Sequence, residues 1–264
     1  MIGLFDSGIG GLYSLRRLRA RFPAADICYF GDTRHLPYGE KAPDEILALA
    51  RQAVGFLCAQ GATAILCACG TVSSVALPRL RESFGIPLYG ILHPTAEKAA
   101  AHARMAGGHI ALLATQATVT AGAFATEICR FAPHAPLHSL ACPAFVPLSE
   151  AGIASRADPG AMETAACTLA PLAGLPIRTV VLGCTHFSRL SGLIGTFFPA
   201  AALIDGATEG ADAIAEYLPD AGTVGRGETR LFTSGDRDAF ARAAAPVLCG
   251  IPHRVEAAPF SCGA

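Results

Sequence analysis

Two stretches of the chain carry residues that could move protons. Val180-Val181-Leu182-Gly183-Cys184-Thr185-His186-Phe187 is an apolar β-branched run that stops at a glycine and delivers a cysteine, a threonine and a histidine in succession. Ala64-Ile65-Leu66-Cys67-Ala68-Cys69-Gly70-Thr71 has the same order. In an alternating α/β chain each would set a thiol at the carboxyl end of a parallel strand, where open sheets form their binding crevices. Thr185 and His186 would open the following helix, whose free N–H groups favour an anionic ligand. A buried cysteine is often a small hydrophobe. Two in matching positions suggest two thiols facing one substrate.

Further polar residues follow other strand ends. Asp6 and Ser7 precede Gly8-Ile9-Gly10-Gly11, and either they aim into the crevice or they cap the next helix. The glycines fall as G-x-G-G after an acid, so this is not the GxGxxG dinucleotide fingerprint. Pro37-Tyr38-Gly39 lies in a turn-rich loop suited to a lid or wall. Thr115 and Thr118 stand in a strand-end turn rich in hydroxyls, and Glu150 is a lone acid in uncharged surroundings. There is no Walker motif and no lysine placed for a pyridoxal Schiff base, so neither cofactor nor metal is expected. Cys67-Ala68-Cys69 lacks the spacing and the second cysteine pair of a zinc site.

The elements that must position these residues read as alternating strands and helices. Strands are expected at Ile2–Phe5, Ile27–Phe30, 64–69, Leu88–Ile91, His109–Leu113, Leu137–Leu140, 180–184, Ala202–Asp205, Thr229–Phe232 and near Arg254-Val255. Helices are expected at Leu12–Arg21, Asp44–Gln60, Ser73–Phe84, Thr95–Met105, Asp158–Ala173, Glu209–Tyr217 and Asp236–Val247. The pattern restarts near His93-Pro94. The fold class is therefore α/β, with one unit formed by 1–93 plus 207–264 and the other by 94–206.

Composition narrows the function. The 264 residues are 52% hydrophobic and 16% charged, with a formal net charge of −1. That balance gives no electrostatic footprint for nucleic acid or an anionic membrane. Residues 52–78 carry no charge, but glycines, polar residues and Pro78 interrupt them, so they read as helix, strand, helix rather than a span. The chain enters a strand at Ile2 and meets Asp6, unlike a signal peptide; a cytoplasmic protein is expected. Of the ten cysteines, Cys28, Cys58, Cys67, Cys129, Cys142, Cys167 and Cys249 lie in or beside apolar segments at irregular spacing. They do not form a disulfide framework, and Cys58 and Cys167 read as packing residues.

Phe5-Asp6-Ser7-Gly8-Ile9-Gly10-Gly11, Pro37-Tyr38-Gly39, the Cys69 element, Phe145-Val146-Pro147-Leu148-Ser149-Glu150 and Gly183-Cys184-Thr185-His186-Phe187 occur in this order. Together they resemble the glutamate racemases of the cofactor-independent aspartate/glutamate racemase superfamily. Phe232-Thr233-Ser234-Gly235-Asp236 is similar to that family's carboxyl-terminal segment. The resemblance implies two pseudo-symmetric parallel-sheet α/β domains, with the tail returning to the first and the site in the cleft between them. It implies Cys69 and Cys184 as acid/base thiols, Asp6 and His186 as their polar neighbours, and Glu150 as an acid nearby. Ser7, Pro37, Tyr38, Gly39, Gly70, Thr71, Thr115, Thr118, Thr185 and His186 would line the substrate, glutamate. A homodimer is left open. Inverting an α-carbon needs a base on one face and an acid on the other, and two thiols provide both. A relative acting on aspartate, or a silent binding protein on the same scaffold, are the other readings.

Two positions depart from the family pattern. Ser188 replaces a common proline, and Gly70 stands where Cys-Asn-Thr is usual. The missing amide leaves a volume in which a water is expected, rather than a closer backbone. On that expectation KM is raised and Gly70→Asn lowers it.

Overall fold

The computed structural model describes residues 1–152, 157–218 and 225–258. The chain begins β1 (Ile2–Asp6), α1 (Leu12–Arg21), β2 (Ile27–Gly31), α2 (Pro43–Ala59), β3 (Ala64–Cys67), α3 (Gly70–Val75), α4 (Leu77–Arg81) and β4 (Leu88–Gly90). It continues α5 (Leu92–Ala106), β5 (His109–Ala114), α6 (Gln116–Ala121), α7 (Ala123–Phe131), β6 (Leu137–Ala141), α8 (Phe145–Glu150), α9 (Pro159–Leu169), β7 (Ile177–Leu182), α10 (Ser191–Gly195) and β8 (Ala202–Asp205). It ends α11 (Gly206–Tyr217), β9 (Thr229–Thr233), α12 (Arg237–Ala244) and β10 (Arg254–Ala257).

Two sheets result, and the strand pairs in both are parallel. One has six strands in the order β10-β9-β2-β1-β3-β4, the other four in the order β6-β5-β7-β8. The chemistry-bearing residues sit at the ends of neighbouring strands in each sheet: Asp6 closing β1 and Cys69 just past β3, Thr115 and Cys184 just past β5 and β7. β1, β2 and β3 are buried along their whole length, as strands covered on both faces must be. In α1, Leu12, Leu15 and Leu18 form the buried stripe. In α2, Pro43 opens the helix, Asp44 and Glu45 sit in its first turn, and Ile46, Ala50, Ala53 and Leu57 face inward.

The two sheets share apolar surface. One core cluster runs from Leu12 and Tyr29 through Ile91 and Ile214 to Leu112 and Val181. α11 lies against α1, where Ser14 Oγ donates to the Ala207 carbonyl at 2.8 Å and Arg17 pairs with Asp212 at 2.8 Å.

Several elements differ from the sequence reading for local reasons. The helix expected at Ser73–Phe84 begins at Gly70, directly behind Cys69, and breaks at Ala76 because Pro78 must open a new helix. α5 starts at Leu92, so His93-Pro94 lies inside its first turn, where a proline is tolerated. The unit boundary expected at residue 93 therefore falls within a continuous helix. Thr185–Ser188 forms a single 3₁₀ turn, not the start of a full helix. α8, which carries Glu150, was not foreseen. α11 starts at Gly206 because Asp205 caps it by accepting from the Ala207 N–H. The expected first unit includes residues 219–224 and 259–264, which lie outside those described. The uncharged run 52–78 is divided among α2, β3 and α3, and among the described residues no helix is long and apolar enough to cross a membrane.

Candidate active site

The carboxyl ends of the two sheets face one another, and the turns that leave them are in contact. On the six-stranded side, Cys69 caps the start of α3 in extended conformation and is 4% exposed. Its sulfur lies 3.6 Å from Ser7 Oγ. Burial, reinforced by the nearby Asp6 charge, pushes the Cys69 thiol up to about 12, so it keeps its proton at neutral pH. Asp6 is fully buried and accepts the Gly8 N–H at 2.8 Å on one oxygen. Its other oxygen accepts the Thr185 hydroxyl at 2.9 Å, a bond that crosses between the sheets. The Cys69 thiol thus has the Val72 backbone and the Ser7 hydroxyl as direct partners, and Asp6 acts on it through charge.

On the four-stranded side, Cys184 is 6% exposed and its sulfur lies 3.8 Å from His186 Nδ1. His186 Nε2 meets Glu150 Oε1 at 2.5 Å. Burial alone would pull the imidazolium down, but the bonds with Cys184 and Glu150 and the Asp6 charge outweigh it, so the pKa is held well above the ordinary value. His186 thus offers a cation to negative charge forming on the Cys184 sulfur. The two thiols differ in surroundings: one is capped by a neutral hydroxyl, the other by an imidazole–carboxylate pair.

Three hydroxyls close the floor between the sheets. Thr71 and Thr115 are 2.9 Å apart, Thr115 and Thr118 are 2.9 Å apart, and Thr118 reaches back to Thr71 at 3.5 Å. Gly39 lies so close to Thr115 that a methyl group on it would fall 2.6 Å from Thr115 Cβ. Asp6, Ser7, Gly39, Cys69, Gly70, Thr71, Thr115, Thr118, Glu150, Cys184, Thr185 and His186 are thus brought together from both sheets.

Tyr38 forms a wall: it is buried edge-on to Phe5, and its hydroxyl donates to Asp32 Oδ2 at 2.5 Å. Pro37 beside it is exposed. The expectation at Gly70 needs correction. At Gly70 there is no vacated volume for a water: a side-chain carbon there would collide with the Gly183 carbonyl oxygen. The backbone has closed in instead, and the water account fails. Cys167, expected to pack, is exposed, as are Cys129 and Cys249.

Sequence reasoning passed over Asp32. It is buried and accepts from Tyr38, from Ser234 Oγ at 2.5 Å and from the His35 ring at 2.8 Å. Its position just past a buried strand end was the available signal; its partner Ser234 follows β9, which pairs with β2. Among the described residues no group of three or more His, Cys, Asp or Glu is placed to hold a metal ion.

A family model described as Asp/Glu/Hydantoin racemase matches residues 15–214. The glutamate racemase of Desulforudis audaxviator is 38% identical over 265 residues, covering 96% of this chain and 96% of its own. The crystal structure of Thermus thermophilus glutamate racemase in complex with β-chloro-D-alanine is similar with a TM-score of 0.82 and 38% identity, covering 97% and 96% of the two chains. That of Francisella tularensis glutamate racemase in complex with D-glutamate gives 0.87 at 28% identity, again covering 97% and 96%. A family match over most of the chain, with relatives of this identity and coverage, shows that the chain belongs to the Asp/Glu/Hydantoin racemases and, among them, to the glutamate racemases.

Proposed function

We propose that the protein interconverts L- and D-glutamate by passing protons between Cys69 and Cys184 across the α-carbon, without a cofactor. The observation that carries this reading is the placement of two buried thiols at facing sheet ends, each with a different polar partner. Two bases on opposite walls can invert a carbon held between them with little rotation of the substrate. One sulfur takes the α-proton while the other thiol delivers its own to the opposite face. Cys69, pushed up to about 12 by burial and Asp6, begins as the donor. Cys184, beside the His186–Glu150 pair, is its counterpart on the opposite wall, and the two roles exchange in the reverse direction. Charge developing on the substrate carboxylate would be met by the threonine hydroxyls of residues 71, 115 and 118, and fixed donors of this kind act without reorganising.

We divide the chain at the two sheets into 1–93 plus 207–264 and 94–206, with the substrate between them. The resemblance carries with it a cytoplasmic supply of D-glutamate for peptidoglycan, and we adopt that role.

The test is circular dichroism of purified protein with L- and D-glutamate, aspartate and glutamine, run in deuterium oxide without added cofactor. Both glutamate enantiomers should racemise and gain deuterium at the α-carbon. Cys69→Ala and Cys184→Ala should each lower turnover by at least ~10²–10⁴-fold, the usual contribution of a positioned acid or base. Near-full turnover in Cys184→Ala, or activity lost to a chelator and restored by zinc, would sink this reading.

A further inference from the structure

At four places where the four-stranded side approaches the turns of the six-stranded side, it meets a glycine. A side chain at Gly8 would fall 2.8 Å from Glu150 Oε1 and 3.1 Å from His186 Nε2. One at Gly10 would strike the Thr185 hydroxyl, and one at Gly39 the Thr115 side chain. At Gly8 and Gly39 the obstacles are side chains, while at Gly10 the Thr185 hydroxyl is backed by the Thr185 carbonyl carbon and His186 N, both at 2.8 Å. Gly70 is the tightest of the four. Its obstacle is backbone, the carbonyl oxygen of Gly183, with the Gly183 carbonyl carbon at 3.0 Å and Cys184 Cα at 3.5 Å beyond it.

Gly70 and Gly183 directly adjoin the two thiols in sequence, Cys69-Gly70 and Gly183-Cys184. Both partners in the contact are held in place. Gly70 begins α3, where its carbonyl accepts Ser74 Oγ at 2.8 Å and the Cys69 carbonyl accepts the Ser73 N–H at 2.9 Å. Gly183 continues the β7 ladder, donating its N–H to the Leu113 carbonyl at 2.8 Å. Neither glycine has positive φ, so what position 70 demands of its residue is space, not conformational freedom.

We propose that Gly70 is a positioning residue that sets the closed width of the cleft: its bare Cα rests against the Gly183 carbonyl, and this contact brings the turns carrying Cys69 and Cys184 to their reacting separation. The proposal rests on the two-thiol reading above. A side-chain carbon at 70 cannot be absorbed by a rotamer change, because its neighbour is backbone in a strand ladder. The sheets must part, by roughly an ångström or more to restore ordinary van der Waals contact. A proton donor and acceptor sharing one carbon are intolerant of such displacement; misplacement by ~1 Å can cost ~10²-fold in rate.

The experiment compares wild type with Gly70→Ala, Gly70→Asn and the control Gly55→Ala, a helix position with nothing within 4 Å of the added carbon. Turnover and KM for glutamate are measured in both directions, and backbone hydrogen exchange is followed in the segments 69–72 and 183–186. Gly70→Ala should keep its fold, lose about 10²-fold in kcat with a smaller change in KM, and exchange faster in both segments together. Gly70→Asn should lose at least as much, and Gly55→Ala should match wild type. Undiminished kcat in Gly70→Ala, a lower KM with full kcat in Gly70→Asn, or unchanged exchange in the two segments would overturn the proposal. So would an unfolded Gly70→Ala protein, since strain relieved by opening leaves both sheets intact. Wild type inactive on glutamate would instead refute the two-thiol reading, while the exchange comparison still decides whether Gly70 holds the cleft closed.

Discussion

The charge state of His186 links stability to pH. Its folded pKa lies above the ordinary 6.5: burial opposes the charge, but Cys184, Glu150 and Asp6 more than offset that. A raised pKa means the imidazolium contributes stability in full below ~6.5, and loses it as pH rises through the raised value. His186→Gln should therefore be less stable than wild type at mildly acidic pH by about 1.5–3 kcal/mol, the range for a hydrogen bond to a charged group. In urea titrations at successively higher pH that gap should narrow; a constant gap would refute the assignment. The cysteines sort by the same physics of burial. Cys28, Cys67 and Cys142 are each pushed up to about 12, chiefly by burial, whereas Cys129, Cys167 and Cys249 are exposed. Brief alkylation of the native protein should label the exposed three and spare the buried three. Cys167→Ser should shift stability by no more than ~0.5 kcal/mol, the usual range for surface substitutions.

One carboxylate gathers much of the loop after β2. Asp32 gathers Tyr38, His35 and Ser234, and through Tyr38 it fixes the wall that presses Gly39 onto Thr115. Asp32→Asn forfeits the charge in these bonds and should cost about 1.5–3 kcal/mol, read by urea melts, and it should raise KM more than it lowers kcat. A variant with wild-type stability and KM would show the loop to be held otherwise. At the start of α12, Asp236 caps by accepting from the Ala239 N–H at 2.6 Å; Asp236→Ala should cost ~1 kcal/mol without touching turnover. The strands that present Cys69 and Cys184 were legible because apolar runs ending at glycine are local signals. So were α1 and α2, whose buried stripes repeat at helical spacing. Features that depend on distant partners were not. Asp32 is completed by Ser234, and Gly70 by the Gly183 carbonyl, and neither pairing leaves a trace in its own neighbourhood. The break at Ala76 has a local cause, Pro78, through which the expected Ser73–Phe84 helix ran.

The six-stranded sheet is assembled from both ends of the chain. β9 pairs along the whole of β2, from Ile27 with Thr229 to Gly31 with Thr233. Beyond the ladder, Thr33 and Thr233 hydroxyls meet at 2.6 Å, and Phe240 of α12 lies 6.1 Å from the Tyr29 ring. Tyr29 in turn donates to the Gly8 carbonyl at 2.6 Å, tying the tail to the turn that carries Asp6. A chain truncated after Tyr217 should therefore leave β2 as a bare apolar edge and fail to yield soluble folded protein; a soluble, cooperatively melting truncate would refute this. The same connectivity imposes an order in time on synthesis. The four-stranded sheet has all its strands once residue 205 has left the ribosome, while β2 waits for residue 233 before it is covered. At ~5–20 residues per second, that interval lasts a few seconds. During it the nascent chain carries one finished unit and one open sheet edge of the kind that recruits other strands. The newborn protein is thus most exposed to misassembly between those two points, and a chaperone acting on it would find its target in the first half of the chain rather than in the part most recently made.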